Sequence, residues 1–252
     1  MSHRFYVTLF TFLFVFIIVN TTKAQRDFSK WQIGINGGIL VYQGDLSQQD
    51  IGSYKTVQPV GGLYISRVLS SSFLLRTNLA IGRLYGNDAS NNSPSWRRKR
   101  NYAFTTPVAE VSELLVWNMF SNNGNELGQR FSPYMFAGAG ISFLNVNRDY
   151  SKLDTTYFSS SSKTSNGLAA DIARIPPRAV LVLPVGIGTE VYLTPKLSLT
   201  LETSFRYTFS DYIDGFSLGA NPDTKDYYHS HTIGLLYRFG KGNKLGCPVI
   251  KK

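Results

Sequence analysis

The sequence predicts an all-β fold: an eight-stranded antiparallel transmembrane β-barrel with a filled lumen and both termini in the periplasm. Three patterns favour it: alternating apolar and polar residues, eight segments of this kind, and long connections that alternate with short ones. The clearest segment is 197–209, where odd positions are apolar except Thr203 and even positions are polar. A period of two indicates a strand with one apolar and one polar face. The segment exceeds the roughly 5–6 residues usual in soluble proteins and meets the roughly 9–11 needed to cross a bilayer.

Eight segments of the predicted barrel domain, residues 25–239, can be assigned as strands. On the fourth of them Glu113 falls on the lipid-facing side, so we expect either a β-bulge that re-aims it or a different register there. The predicted strands are 31–42, 60–68, 73–85, 104–120, 134–144, 179–192, 197–209 and 228–239.

The connections between these strands alternate in length, and no segment of the domain shows helical periodicity. Outer-membrane barrels have long outer loops and short periplasmic turns, so this rhythm predicts periplasmic termini. The predicted turns are 69–72, 121–130 and 193–196, and the predicted loops are 43–58, 86–103, 145–178 and 210–227.

The two ends of the chain lie outside the predicted barrel. Residues 1–24 resemble a signal peptide, with Arg4 before an apolar stretch and a small residue, Ala24, at the cleavage position. A transmembrane anchor is the alternative, but the apolar stretch is shorter than the roughly 20 residues a spanning helix needs. Residues 240–252 form a basic tail that we expect in the periplasm. Its candidate partner-binding residues are Lys241, Lys244, Cys247, Lys251 and Lys252.

The composition agrees with an exported barrel. Gly (22), Tyr (15) and Phe (17) are plentiful, as expected for short strands with aromatic girdles. The net charge is +10, and loss of Arg4 and Lys23 with the leader would leave +8. The basic residues show no nucleic-acid motif, so no nucleic-acid partner is predicted. A single cysteine excludes an internal disulfide.

Five charged residues are assigned by strand parity to the barrel interior. A barrel of about eight strands is just wide enough to be filled by side chains. Buried charges without partners are costly, so we expect these residues to pair and form an ionic plug. A conduction path or a catalytic cluster is the alternative. The residues are Arg76, Glu110, Glu190, Glu202 and Arg206.

The triplet His229-Ser230-His231 is the candidate for catalysis, since small barrels that trim lipid A use Ser and His with a carboxylate. Parity places His229 and His231 outward and Ser230 inward, so a nucleophile and its base would point apart. The sequence therefore predicts no enzyme and no cofactor.

Two other groups of charged residues are candidate binding sites. The basic run 96–100 is expected to be a solvated outer loop that contacts lipopolysaccharide phosphates, with a protein partner as the alternative. Oxygen-rich loops can bind calcium, but the acidic residues of the last loop lack the spacing of a known calcium loop, and no metal is predicted. These acidic residues are Asp211, Asp214, Asp223 and Asp226.

Three ordered segments together carry a family resemblance: 42–46, 131–140 and 205–214. With the glycine-rich first strand, they resemble the PorG-like outer-membrane β-barrels of Bacteroidota, of the DUF6089 type. The resemblance implies an eight-stranded barrel of the type IX secretion and gliding machinery. It also implies partners, namely the periplasmic ring components, a lipoprotein and its partner, besides outer-membrane lipid and lipopolysaccharide. It offers no catalytic residues.

The function expected from these observations is therefore structural. The chain would anchor the periplasmic ring to the outer membrane through its tail and the turn 121–130. The alternative is a general small outer-membrane barrel for envelope integrity or adhesion through its outer loops. A lipid A-modifying enzyme is disfavoured by the parity of the His-Ser-His triplet.

Overall fold

The computed structural model is a closed antiparallel β-barrel. Eight long strands form the wall, and the pairing of β3 with β4 closes the ring in the order β1-β2-β3-β4-β5-β7-β8-β9. The ninth strand, β6, is a short addition that pairs with the start of β4. The predicted eight-stranded antiparallel β-barrel is confirmed. The structure describes residues 30–47, 52–90, 94–120, 130–223 and 225–239.

The observed strands agree with the predicted ones to within about three residues at either end. Fraying of strand ends accounts for differences of this size. The strands are β1 (Trp31–Gln43), β2 (Gln58–Val68), β3 (Phe73–Asn87), β4 (Ala103–Asn118), β5 (Phe131–Leu144), β6 (Asn147–Asp149), β7 (Ala179–Tyr192), β8 (Leu197–Thr208) and β9 (Tyr227–Arg238).

All long connections meet at one end of the barrel, here called the loop end. The short connections and both ends of the strand series lie at the opposite end, called the turn end. Trp31 pairs with Arg67 of β2, and Arg238 pairs with Gln32. The start of the first strand therefore lies beside the end of the last strand, at the turn end.

The loops contain short helices, although no segment of the sequence shows helical periodicity. One spans Ser95–Arg100, and the longer one, the loop helix, spans Lys163–Ala173. Ser162 caps the loop helix, since its hydroxyl accepts a hydrogen bond from the Ser165 backbone N–H at 3.1 Å. The loop helix buries only Leu168 and Asp171, too few apolar contacts to leave a clear helical period in the sequence. Among the described residues, no helix is long and apolar enough to cross a membrane.

The wall of the barrel shows the predicted alternation. On β8, Leu201 is 44% exposed while Ser204 and Arg206, at even positions, are buried. On β4 the same alternation runs without interruption from Phe104 to Asn118. Large apolar side chains thus form the outer surface, while the inside holds charged, polar and apolar side chains together. An apolar outer surface of this kind is the arrangement of a barrel that faces lipid.

Val41 departs from this pattern. Parity places it outward, yet it is fully buried, because the β1–β2 loop folds back over the outer face. Gly52, with a positive φ of 87°, brings that loop against the Tyr42 backbone; an added Cβ would meet the Tyr42 carbonyl oxygen at 2.7 Å and a Val41 methyl at 3.1 Å. Loop packing of this kind leaves no periodic signal.

Glu113 lies on the outer face of an unbroken ladder. Thr77 pairs with it between the neighbouring pairs Arg76–Leu114 and Asn78–Ser112, so the expected bulge or register change is wrong. The Thr77 hydroxyl donates a hydrogen bond of 2.7 Å to Glu113 Oε2. This bond partly compensates for a carboxylate on an otherwise apolar surface.

Replacing Glu113 by leucine is expected to stabilise the barrel in a bilayer by up to about 2 kcal/mol, because a charge on the lipid face is unfavourable. Folding titrations in lipid vesicles, read by gel mobility, would measure the change. Ala109→Leu is the control, since it adds apolar surface to the same face of β4 without removing a charge. An equal gain in both variants would show that added apolar surface, and not removal of the charge, causes the stabilisation, whereas a loss in Glu113→Leu would contradict the assignment of this face to lipid.

Two apolar clusters close the interior at its two ends. The cluster at the loop end is the larger and joins strand residues to loop residues. The cluster at the turn end consists of Leu74, Leu114, Val116, Tyr134 and Phe136. The loop residues of the larger cluster include Leu46, Tyr102, Leu168, Ile213 and Phe216.

Candidate functional site

The lumen contains a charged group built around Arg76 and Glu202, from β3 and β8. Arg76 Nη1 lies 2.5 Å from Glu202 Oε1, and the Tyr134 hydroxyl donates to the same oxygen at 2.6 Å. The Arg76 guanidinium also lies over the Tyr64 ring, 4.4 Å from its centroid. The Glu202 carboxylate and the face of the Tyr64 ring together stabilise the buried guanidinium, and the Tyr134 hydroxyl holds the carboxylate in place.

A second group lies nearer the loop end and joins Glu110 to Arg206. Arg206 Nε lies 3.1 Å from Glu110 Oε2, which also accepts a hydrogen bond of 2.9 Å from the Tyr228 hydroxyl. Arg206 Nη1 donates to the hydroxyls of Ser204 and Ser230 at 2.5 and 2.6 Å. The network therefore ties β4 to β8 and β9 across the barrel.

The third group lies at the turn end, where Glu190 pairs with Arg238. Arg238 Nη1 also donates to Ser198 Oγ at 2.7 Å. The structure thus places all five sequence-derived residues inside the barrel but supplies Glu190 with a partner that sequence reasoning missed. Strand parity could have found Arg238, because its neighbours Tyr237 and Phe239 point outward.

These side chains leave little space in the middle of the lumen. The cavity between Glu110, Glu202, Arg206 and their neighbours measures about 20 Å³, enough for roughly one water molecule. The three ion pairs thus occupy the lumen together with their hydrogen-bond partners.

The loops form a packed cap over the loop end. Buried Arg100 donates to both oxygens of Asp88, at 2.7 and 2.9 Å. Burial is the largest influence on the pKa of Arg100 and lowers it, but the Asp88 carboxylate outweighs burial and leaves this pKa raised. This bidentate pair fixes the short helix Ser95–Arg100 to the 3-10 turn Asp88–Ser90.

The expectation of a solvated basic run at 96–100 is wrong for Arg100, which is buried, while Arg97 is half-buried and the other three residues are exposed. Besides Arg100, Lys99 Nζ lies 2.9 Å from Asp154 Oδ2, and Arg97 Nη1 lies 3.6 Å from Asp88 Oδ1. Arg98 is exposed, and Trp96 is partly exposed at 38%. The run serves mainly to join loops to one another.

The loop helix is joined to the last loop by Asp171, which is fully buried. Its two oxygens accept hydrogen bonds from the backbone N–H groups of Ser217, Leu218 and Gly219, at 3.1, 3.1 and 2.8 Å. They also accept one from the Tyr212 hydroxyl at 3.1 Å. No pattern along the chain indicates this role, since Asp171 lies far from residues 217–219 in the sequence.

The triplet His229-Ser230-His231 does not assemble a catalytic site. Ser230 faces the lumen and Arg206, whereas both histidines lie on the outer side. The Tyr54 hydroxyl lies 3.2 Å from His229 Nε2 and 2.9 Å from His231 Nε2. The β1–β2 loop thus covers the two imidazoles, and Ser230 has no neighbouring base among the described residues.

Three of the four acidic residues of the last loop, Asp211, Asp214 and Asp226, lie together in the cap, and Asp223 does not. Asp223 is exposed, but Asp211 and Asp226 are buried and meet Asp45 of the first loop. The prediction from the sequence considered the spacing of acidic residues within one loop. A group of carboxylates contributed by two loops leaves no such spacing. The remaining sequence-derived residues, in the tail 240–252, and the signal segment 1–24 lie outside the described residues, as does most of the turn 121–130.

Comparisons with known proteins give one family match. A family model described as a domain of unknown function, DUF6089, matches residues 7–244. No curated protein sequence matches the chain.

Solved structures of small outer-membrane barrels resemble the chain at low identity. Ail, the attachment invasion locus protein of Yersinia pestis, in complex with the heparin analogue sucrose octasulfate, aligns with a TM-score of 0.44 and 12% identity, covering 83% of this chain and 97% of that one. Neisserial surface protein A gives 0.46 and 12%, with the same coverage of 83% and 97%. A major outer membrane protein from Thermus thermophilus gives 0.45 and 13%, covering 83% and 99%.

Proposed function

The chain belongs to the DUF6089 family, whose description is a domain of unknown function, and we propose for it a structural role in the outer membrane. Specifically, it is a barrel subunit of the type IX secretion system that ties the periplasmic ring to the membrane. Its partners are the ring lipoprotein and the protein bound to it. This role requires no catalytic residue and no cofactor.

The observation that carries the proposal is a barrel with a filled lumen, in which the first strand begins and the last strand ends at the turn end. The ionic groups and both apolar clusters fill the lumen, which argues against transport through it. The exposed apolar wall is suited to lipid. Such a barrel can act as an anchor, with its turn end as the contact surface.

The turn end offers short connections and the start of the basic tail. The backbone N–H of Phe239 donates to the Trp31 carbonyl at 3.2 Å, so the described chain ends beside the start of β1. Residues 240–252 carry Lys241, Lys244, Lys251 and Lys252. In the proposed orientation these lysines face the periplasm and bind an acidic surface of the ring.

Deleting residues 241–252 is expected to abolish co-purification of the ring lipoprotein and its partner from native membranes. The barrel should remain heat-modifiable on a gel, because the last strand of the wall ends at Arg238, before the deleted residues. Replacing the four tail lysines by glutamine should weaken the capture, whereas glutamine at exposed Lys152 and Lys163 of the outer loops should not. Undiminished capture by the deletion variant would show that the tail assignment is wrong.

A second candidate function is supported by the ordered cap. Loops held by Asp171, by the Arg100–Asp88 pair and by the larger apolar cluster present a fixed surface at the loop end. Such a surface suits a general small barrel for envelope integrity or adhesion, with exposed Arg98 and Trp96 near lipopolysaccharide. If a variant with shortened outer loops restores secretion and gliding to a knockout strain, the ring role is favoured. If the full-length chain restores them and the variant with shortened loops does not, adhesion through the loops is favoured.

A further inference from the structure

Four carboxylates gather inside the cap, above the loop end of β1. Asp214 and Asp226 are fully buried, and Asp45 and Asp211 are 5% and 8% exposed. Asp45 follows β1, whereas the other three belong to the loop between β8 and β9. One carboxylate oxygen from each of Asp45, Asp211 and Asp226 lies within 4.8 Å of the other two. These three residues are called the acidic trio.

That spacing suits a single cation with oxygen ligands. Calcium binds oxygens at about 2.3–2.6 Å and accepts irregular geometry with 6–8 ligands. Two oxygens on opposite sides of one calcium ion are therefore up to roughly 5 Å apart. All three oxygens of the acidic trio can reach one ion without moving the backbone.

Two oxygens of the acidic trio lack hydrogen-bond partners. Asp226 Oδ2 and Asp211 Oδ1 are buried, and neither accepts a hydrogen bond from any described residue. The other oxygen of Asp226 accepts from the Tyr42 hydroxyl at 2.8 Å. Buried acceptors are nearly always satisfied in folded proteins, so these two oxygens indicate a ligand that the polypeptide does not itself supply.

The Tyr42 hydroxyl cannot neutralise the group. It lies 2.7 Å from Asp214 Oδ2 as well as 2.8 Å from Asp226 Oδ1, and a phenol has one proton to donate. Burial, reinforced by neighbouring carboxylates, raises the pKa of Asp214 and of Asp226 well above its ordinary value. Burial and the neighbouring carboxylates therefore both oppose ionisation of this group in the absence of a cation.

The nearby basic side chains are engaged elsewhere. Arg97 and Arg100 donate to the backbone carbonyl of Asp45, at 3.1 and 3.4 Å, and both face Asp88. Arg174 lies over the Tyr212 ring, 4.2 Å from its centroid. Lys225 is exposed. Burial raises the pKa of Asp211, and the charge of Lys225 lowers that pKa by less. None of these four forms an ion pair with the carboxylates of Asp211 or Asp226 among the described residues.

We propose that Asp45, Asp211 and Asp226 bind one divalent cation of the calcium type, which clamps the first outer loop to the last. The remaining ligands are water or backbone oxygens. Asp214 supports the site through Tyr42. This site is independent of the tail and of the ring, so it stands or falls separately from the proposed secretion role.

The test uses the full chain, refolded in detergent free of lipopolysaccharide and extracted with a chelator. Added calcium is expected to raise the temperature of unfolding of the wild type saturably, because binding to the folded state alone stabilises it. Terbium should bind in competition with calcium and show luminescence excited through tyrosine, since the Tyr42 hydroxyl contacts Asp226. Magnesium should act more weakly, because it demands a stricter geometry.

The decisive variants are Asp211→Asn and Asp226→Asn. In chelator each should unfold at the same temperature as the wild type or higher, since repulsion is reduced. In calcium each should lose the stabilisation, with affinity lowered at least about tenfold as ligand charge is removed. Asp223→Asn, an exposed carboxylate of the same loop, is the control and should respond as the wild type does. A calcium shift retained in Asp226→Asn, a shift lost equally in Asp223→Asn, or no shift in the wild type at millimolar calcium would overturn the proposal.

Discussion

Replacing Arg206 by methionine is expected to lower the free energy of unfolding of the barrel by about 3–5 kcal/mol, the usual cost of leaving a buried charge without its partner. Glu110 would lose the guanidinium 3.1 Å away and keep only the Tyr228 and Ser112 hydroxyls as donors. Methionine fills much of the arginine volume, so the loss would report the charge rather than a cavity. Denaturant titration of the refolded barrel, read by gel mobility, measures it.

The double variant Glu110→Gln with Arg206→Met distinguishes the cost of an unpaired Glu110 charge from the cost of altered side-chain packing. With neither charge left in the lumen, it should recover more than half of the lost stability, since an ion pair is often replaceable by neutral groups. Arg83→Met, on the exposed outer side of β3, is the matched control and should change stability by about 1 kcal/mol or less. Equal effects at positions 206 and 83, or simple additivity in the double variant, would mean that Glu110 does not depend on Arg206.

The barrel wall could be predicted from the sequence because its signal is local. Alternation at 197–209 assigns Leu201 to the outside and Arg206 to the inside without any knowledge of the neighbouring strands. The pairing inside is not local. Arg76 meets Glu202 only because the barrel closes and brings β3 to face β8 across the lumen. Glu190 of β7 meets Arg238 of β9 over the single intervening strand β8. Parity identified which charges are inside, and the arrangement of the strands in space decided their partners.

The cap could not be predicted in the same way, since its contacts join distant loops. Asp45 and Asp211 carry no shared pattern, yet folding brings their oxygens within 4.8 Å. Gly167 gives a second example: an added Cβ would collide with the Leu218 carbonyl oxygen, so the loop helix can approach the last loop only at a glycine. Neither feature has a period, and each depends on where a loop returns to the barrel.

Buried charged side chains stabilise both the lumen of the barrel and the cap above it. In each, a buried charged side chain joins segments that are distant along the sequence. Buried polar groups of this kind are costly unless every partner is present. The expected consequence is cooperative loss: removing one partner should loosen the segment that it holds while other parts of the barrel stay folded.

Asp171→Ala tests this expectation for the cap, and the predicted effect is large but local. Three buried backbone N–H groups, of Ser217, Leu218 and Gly219, would lose their acceptor together with the Tyr212 hydroxyl. Each unsatisfied buried donor costs about 1–3 kcal/mol. Since water can enter once the loop opens, we expect the local stability of residues 209–226 to fall by about 3 kcal/mol in all.

Limited trypsin digestion in detergent measures this opening, because Arg174 and Lys225 flank the affected segments. A loss of about 3 kcal/mol corresponds to cleavage roughly 100-fold faster when opening precedes cutting. The heat-dependent shift of the barrel on a gel should persist, since Asp171 contacts no strand of the wall. Asp149→Ala, whose exposed carboxylate bonds only to Ser151 among the described residues, should leave the rate nearly unchanged. Slow cleavage of Asp171→Ala would show that the apolar contacts of Leu168 and Phe216 hold the cap without the carboxylate.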